Sequence, residues 1–274
     1  MTVSAQDVKK LRDQTGLPLM DCKRALTETQ GDFDAAIRWL RERGAKLLSS
    51  RADRVTEFGR VGIYADSQVG AMVELKCESA PVAQLAEFNE LAQALARQLA
   101  LGPGASSAEE LLDQPSPVRQ GQTLRQHRDD LFNQVREVFN VGRLVRIQGR
   151  CGGYQHVGAR IHGVLVQAEG GSDEALRDIC MHVAAMAPLA LKREDLDPAL
   201  VEAERQVLRE ATLREGKPAN IVDKIIEGRL KSFYAERVLL EQPFVKDNSL
   251  TVAQFASAQG IQIVQFVHWI VGQG

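Results

Sequence analysis

The chain has 274 residues, 44% hydrophobic and 26% charged, with a formal net charge of -2. That balance suits a globular protein long enough for two or three domains. It excludes a general nucleic-acid binder, which needs a concentrated basic face, and no run approaches the roughly 18 apolar residues of a membrane helix.

The first residues, MTVSAQDVKKL, have neither the apolar core of a signal peptide nor the Arg-rich make-up of a transit peptide, so a cytoplasmic protein is expected. Ser4-x-x-Asp7 is a capping-box start for a first helix, which Gly16 ends. A second helix from Leu19 to Thr29 places Cys22, Ala25 and Leu26 on one face. Asp32 can cap a third, with face Ala36, Ile37 and Leu40, which Gly44 should close. The break between the first two helices is Gly16 and Pro18. It carries three apolar residues, Leu17, Leu19 and Met20, where turns favour Gly, Asn, Asp or Ser. Residues 41–60 are charge-rich and predict a solvated linker helix or extended connection.

Two strand-like runs follow, Val61 to Tyr64 and Ala71 to Cys77, then a helix with Val82, Leu85, Phe88, Leu91, Leu95 and Leu99 at helical spacing. The pattern recurs: strands across 144–171, then the helix SDEALRDICMHVAAMAP. The expected class is α+β. A three-helix module at 1–50 precedes two related subdomains with small antiparallel sheets, at 51–140 and 141–191. Residues 192–237 read as two charged helices around Gly216-Lys217-Pro218. Leu200, Ala203, Val207 and Ala211 would face Val222, Ile226, Leu230 and Phe233 in an inserted antiparallel helical hairpin. Residues 238–274 return to the second subdomain, with a strand from Ile261 to Val271.

No reaction centre is legible. There is no phosphate-binding G-x-x-x-x-G-K-[ST] loop, no H-E-x-x-H and no G-x-S-x-G. The five histidines are scattered, and nothing assembles a nucleophile, a base and an orienting group. Cys22, Cys77, Cys151 and Cys180 form no C-x-x-C pair, and Cys151, His156, Cys180 and His182 fit no zinc spacing. No metal, cofactor or enzymatic activity is expected; the pattern favours a protein that works by binding.

The motifs, taken in order, resemble the bacterial elongation factor Ts family. They are Leu11-Arg12, Thr15-Gly16, Met20-Asp21-Cys22-Lys23-Arg24-Ala25-Leu26, Tyr154-Gln155-His156, Gly158-Ala159-Arg160-Ile161, Met181-His182-Val183-Ala184-Ala185, Lys217-Pro218, Glu227-Gly228-Arg229 and Gln242-Pro243-Phe244-Val245. The resemblance implies a UBA-like first module, a bipartite core and a coiled-coil hairpin. It also implies a partner, elongation factor Tu, met GDP-bound and nucleotide-free, with no direct nucleic-acid or membrane partner; it allows a dimer of the complex. Partner contacts are implied at Arg12, Leu19 and Met20, at Ser79-Ala80-Pro81-Val82, and at Tyr154 and His156. The apolar turn is then an anchor for a partner groove, or a staple folded under its own bundle. The anchor is expected of Leu19 and Met20, the staple of Leu17.

Three positions depart from the family pattern. An Asp-Phe pair that acts as a wedge against the partner's magnesium site is replaced by Ala80-Pro81. A Gly-Glu-Asn run is replaced around Arg136-Glu137-Val138-Phe139-Asn140, and relatives continue past the position of Gly274 into a final helix. The alternatives are therefore a Tu-binding protein with weak or no exchange, or a self-association module acting through the hairpin.

Overall fold

The computed structural model describes residues 3–215 and 219–273. It is an α+β chain with small sheets. Two compact units are present. One comprises the residues up to Tyr64, Ala71–Arg146 and the last residues from Ile270; the other comprises Ala65–Gly70 and Ile147–Trp269.

The first unit begins with α1 (Ala5–Thr15), α2 (Leu19–Glu28) and α3 (Phe33–Ser49). Their limits follow from local chemistry. Ser4 Oγ accepts the Asp7 N–H at 3.1 Å, and Asp32 accepts the Ala35 N–H at 2.9 Å, satisfying donors that a helix start leaves orphaned. Gly16 ends α1 at φ +69°, a left-handed conformation that costs glycine nothing. Val8, Leu11, Leu17, Cys22, Ala25, Leu26, Ala36 and Leu40 form the module's small core.

Gly44 does not close α3 as its position predicts. The helix runs on to Ser49, so the expected solvated connection at 41–60 is partly helical. Gly44 sits instead where α3 crosses α6 (Leu124–Val135); a Cβ there would lie 1.9 Å from Asn133 Oδ1. The glycine is an approach site between helices, not a stop signal.

β1 (Phe58–Ala65), β2 (Val69–Cys77) and β3 (Asn140–Gln148) form a sheet in that order. α4 (Ala86–Leu101) brings Phe88, Leu91, Leu95 and Leu99 to full burial, and Phe88 meets Phe139 edge-on at 5.3 Å between centroids. α4 starts later than Val82, because Val82–Gln84 is a single 3-10 turn and Leu85 is extended. The short α5 (Ala108–Leu112) leads toward α6. β3 corrects the boundary expected at 141: it pairs with β2 and completes the first sheet. Buried Glu74 of β2 receives Arg143 of β3 at 2.9 Å, an ion pair that fixes this edge.

In the second unit β4 (Cys151–Val157), β5 (Ile161–Glu169) and β8 (Gln262–Ile270) form a sheet in that order. β4 and β5 are antiparallel, with Tyr154 opposite Val164 and His156 opposite His162. α7 (Asp173–Met186), capped by Ser172, packs Leu176, Ile179, Cys180 and Val183 with Val164, Val166, Phe244, Val252 and Ile263. Phe244 belongs to the two-stranded ribbon β6 (Pro243–Phe244) and β7 (Asp247–Thr251), which leads into α10 (Val252–Ala258).

α8 (Pro198–Arg214) and α9 (Ala219–Arg237) make the hairpin; the predicted turn at 216–218 lies outside the described residues. Val222, Ile226, Leu230 and Phe233 of α9 are buried as predicted. The α8 stripe is not the predicted one. Val201, Leu208 and buried Thr212 face inward, while Leu200 and Val207 are exposed. The stripe is turned by about one residue, a 100° step, which packs Val201 and Leu208 on the α9 core; Arg205–Glu227 at 2.6 Å and Arg209–Asp223 at 2.8 Å join the helices along the exposed flanks.

His127 on α6 is fully buried. Burial, then Arg119, pushes its imidazole down to about 4 from an ordinary 6.5; Glu90 Oε1, 3.7 Å from Nε2, is half-exposed and offsets that only weakly, so the ring is neutral at neutral pH. Its contribution to stability is complete above pH 6.5 and is lost as the pH falls from 6.5 toward 4, because the unfolded chain then binds the extra proton. The loss is on the order of 3 kcal/mol. Denaturant unfolding at pH 7 and pH 4.5 should show it, and His127→Leu should flatten that part of the profile.

Candidate functional site

The loop after α6 ties together the first two candidate surfaces. Arg136 caps α6 in the left-handed region at φ +67°, a conformation that costs a non-glycine residue about 1 kcal/mol or more. Its guanidinium reaches Asp21 of α2 at 2.6 Å, and its carbonyl accepts Arg51 at 2.8 Å. The next residue turns the other way. Glu137 accepts the Ser79 N–H at 3.0 Å and donation from Ser79 Oγ at 2.6 Å. Glu78 returns the bond, accepting the Val138 N–H at 2.8 Å while its other oxygen takes Arg54 at 3.0 Å. Residues 78–79 and 136–138 are thus fastened reciprocally.

The first surface is the turn at 16–20. Leu17 is 8% exposed, Leu19 48% and Met20 67%. The turn is split: Leu17 is the staple, and the next two apolar side chains point outward. Pro18 supplies the N-terminal boundary of α2 without a side-chain cap, and Thr15 Oγ1 bonds Leu11 O at 2.7 Å beside it. Arg12 is exposed in the last turn of α1. The turn therefore presents an exposed apolar pair beside a buried neighbour.

The second surface is the turn at 79–82. Ser79 is engaged with Glu137, Ala80 is half-buried and Pro81 is exposed. Val82, grouped with these as a contact residue, is only 9% exposed; its side chain supports the turn from beneath instead of facing out. The preceding Cys77 donates to Ser79 O at 3.3 Å, and burial pushes its thiol up to about 12, so it stays protonated. This turn offers a small apolar edge, with no carboxylate and no ring at 80 and 81.

The third surface belongs to the second unit. Tyr154 and His156 on β4 and His162 on β5 line a cavity of about 540 Å³ with Met181, Ala184 and Ala185 of α7 and with Val245 and Lys246. Buried His182 organises its far wall. His182 Nδ1 accepts the Val245 N–H at 3.1 Å, and Nε2–H donates to Gln242 Oε1 at 2.9 Å. Those partners assign the neutral ring, and burial lowers its proton affinity. Lys246 is held by Asp178 at 2.6 Å.

Tyr154 and His156, named from the sequence, share this cavity with His162 and Val245, which were not named as site residues; Arg136 and Glu137, named there only as a departure from the family pattern, brace the turns at 16–20 and 79–82. Among the described residues, no group of three or more His, Cys, Asp or Glu has the arrangement to hold a metal, and all four cysteines are buried free thiols. No described helix is long and apolar enough to cross a membrane.

The family model for elongation factor TS matches residues 78–273. The match takes in the second sheet, the last strand of the first, the hairpin and two of the three surfaces; the chain belongs to the elongation factor Ts family, a family of translation factors.

The Glu137 bond pair is the support whose removal is most readable. Glu137→Ala should leave the Ser79 donors unpartnered, at a cost of about 1–3 kcal/mol. Amide hydrogen exchange at Ser79 should quicken well before that of the β2 core; an unchanged Ser79 rate would disprove the brace.

Proposed function

We propose that the chain binds elongation factor Tu and promotes GDP release by stabilising the nucleotide-free partner. The observation that carries this reading is the exposed pair Leu19–Met20 on a turn whose neighbour Leu17 is locked in the core, in a chain of the elongation factor Ts family. Arg12 flanks the pair and supplies charge at its rim. The three-helix module is, on this reading, UBA-like, and α8–α9 is the family's coiled-coil hairpin. The Tyr154–His156 cavity receives a second, apolar part of the same partner, Ser79–Pro81 approaches its nucleotide site, and Tu–Ts pairs can dimerise. The proposed location is the cytoplasm.

The chemistry is linkage, not bond making. A factor that binds the empty partner more tightly than the loaded one must weaken nucleotide binding by the same ratio. Each tenfold of that coupling requires about 1.4 kcal/mol of differential contact. The turn at 79–81 lacks the aromatic anchor and carboxylate that the family pattern implies, and such an anchor supplies about 2 kcal/mol or more. This favours a second reading: a Tu-binding protein whose exchange activity is weak. The two readings share the anchor and differ at the wedge.

Two measurements separate them. The double substitution Leu19→Ala/Met20→Ala should weaken binding to elongation factor Tu at least tenfold with the melting temperature of the free chain unchanged, since both side chains are exposed; unchanged affinity would remove the anchor. Release of labelled GDP from elongation factor Tu should rise about tenfold or more when Ala80→Asp and Pro81→Phe are introduced together. A wild-type rate already matching the double variant would mean that exchange draws on another surface.

A further inference from the structure

Three histidines stand in a row across three neighbouring strands of the second sheet. His156 on β4 is the register partner of His162 on β5, with ring centroids 6.1 Å apart. His162 Nδ1 in turn lies 3.0 Å from His268 Nε2 on β8. The His162 and His268 planes differ by 13° and their centroids are 5.2 Å apart. That separation nearly equals the 3.0 Å contact plus the two ring radii. The rings therefore meet edge to edge, nitrogen toward nitrogen, in nearly one plane.

That geometry admits one proton. A nitrogen–nitrogen hydrogen bond needs one donor and one acceptor. With both rings neutral, one N–H fills it. With one ring protonated at its far nitrogen, the bond survives and strengthens through charge. With both protonated, two N–H groups point at each other and the contact is lost. Burial first, then neighbouring His156 and Arg160 of the β4–β5 turn, disfavour a proton on His162. The other polar groups near the row are Tyr154, whose hydroxyl is 3.5 Å from His156 Nδ1, and Lys246 on the cavity's rim, which is paired with Asp178 of α7.

We propose that the His156–His162–His268 row is a proton-sensitive gate on the cavity beneath it, open to a partner when neutral and closing as it gains charge. The inference rests on the reading of that cavity as a docking site for elongation factor Tu. Met181, Ala184, Ala185 and Val245 make the opposite lining apolar, so the part of the partner that fills the cavity is apolar too. Seating it strips water from His156 and His162, and a desolvated imidazolium is unfavourable. Binding then expels a proton, and affinity falls as the pH drops through the titration of the row, with a limiting slope of about tenfold per pH unit for one proton.

The test uses the full chain and elongation factor Tu, with affinity measured at pH 8.0 and pH 6.0. His268→Phe is the control: it lies outside the cavity lining and removes the acceptor that a protonated His162 Nδ1–H needs, so the charged row loses its charge-assisted bond. The expected result is a wild-type affinity loss of about twofold or more at pH 6.0 that is smaller in His268→Phe; titration of the partner's own groups cancels in this comparison. The same pH dependence in both chains would overturn the gate. A proton NMR titration of the histidine rings in the free chain checks the row without the partner. His162 and His268 should together take up one proton between pH 8 and pH 5.5, and two independent full titrations would overturn the geometry. If the wild-type chain shows no binding at pH 8.0, the docking reading fails, while the NMR titration still decides the row.

Discussion

The first unit depends on three consecutive residues between α6 and β3. Arg136 reaches into α2 at Asp21, and Glu137 reaches into the turn after β2 at Ser79. Val138 gives its N–H to Glu78. Two surfaces distant in sequence thus share one support. Opening the support releases the Asp21 carboxylate and the Ser79 donors together, so its bonds reinforce one another beyond the value of any single exposed pair.

The support accepts a local strain. A non-glycine residue at φ +67° is costly, and the family pattern has glycine in this run. Arginine is retained against that cost because its side chain does what glycine cannot. A partly buried guanidinium 2.6 Å from Asp21 is a charge-assisted hydrogen bond, worth more than a neutral one. What reads in the sequence as a departure from a contact motif is, in the fold, an exchange of backbone ease for a cross-link between the helical module and the rest of its unit.

Much of this architecture was legible in the residues, and the failures have physical causes. Helix starts at Ser4, Asp32 and Ser172 follow from side chains that satisfy a helix's own donors within three residues, so local sequence suffices. Leu17 was separable from Leu19 and Met20 because burial against exposure at this turn depends on the helical module alone. β3 was misassigned because alternation states that a strand exists, not which strand it joins; the deciding pair, Glu74 with Arg143, is 69 residues apart. Gly44 was read as a stop because its role depends on Asn133 of another helix. The α8 face was turned because Leu200 and Val207 satisfy helical spacing as well as Val201 and Leu208 do, and only packing against α9 distinguishes them. His162 and His268 carried no local signal; sheet order alone brings them together.

The same separation bears on how binding and exchange can come apart in this chain. Leu19 and Met20 present apolar surface, and burying such side chains contributes about 1.5–3 kcal/mol each when complete. That energy is gained against loaded and empty partners alike wherever the groove itself is unchanged, so it sets affinity and leaves the nucleotide untouched. Only contacts that differ between the two partner states produce release. On the proposed reading the turn at 79–81 is the element placed for that; it is tied at Ser79 and supported by Val82, yet it ends in a methyl group and a pyrrolidine ring. A braced mount with a blunt tip retains positional accuracy while giving up reach. The proposal therefore assigns the limit on exchange to what stands at 80 and 81, and affinity to what stands at 19 and 20.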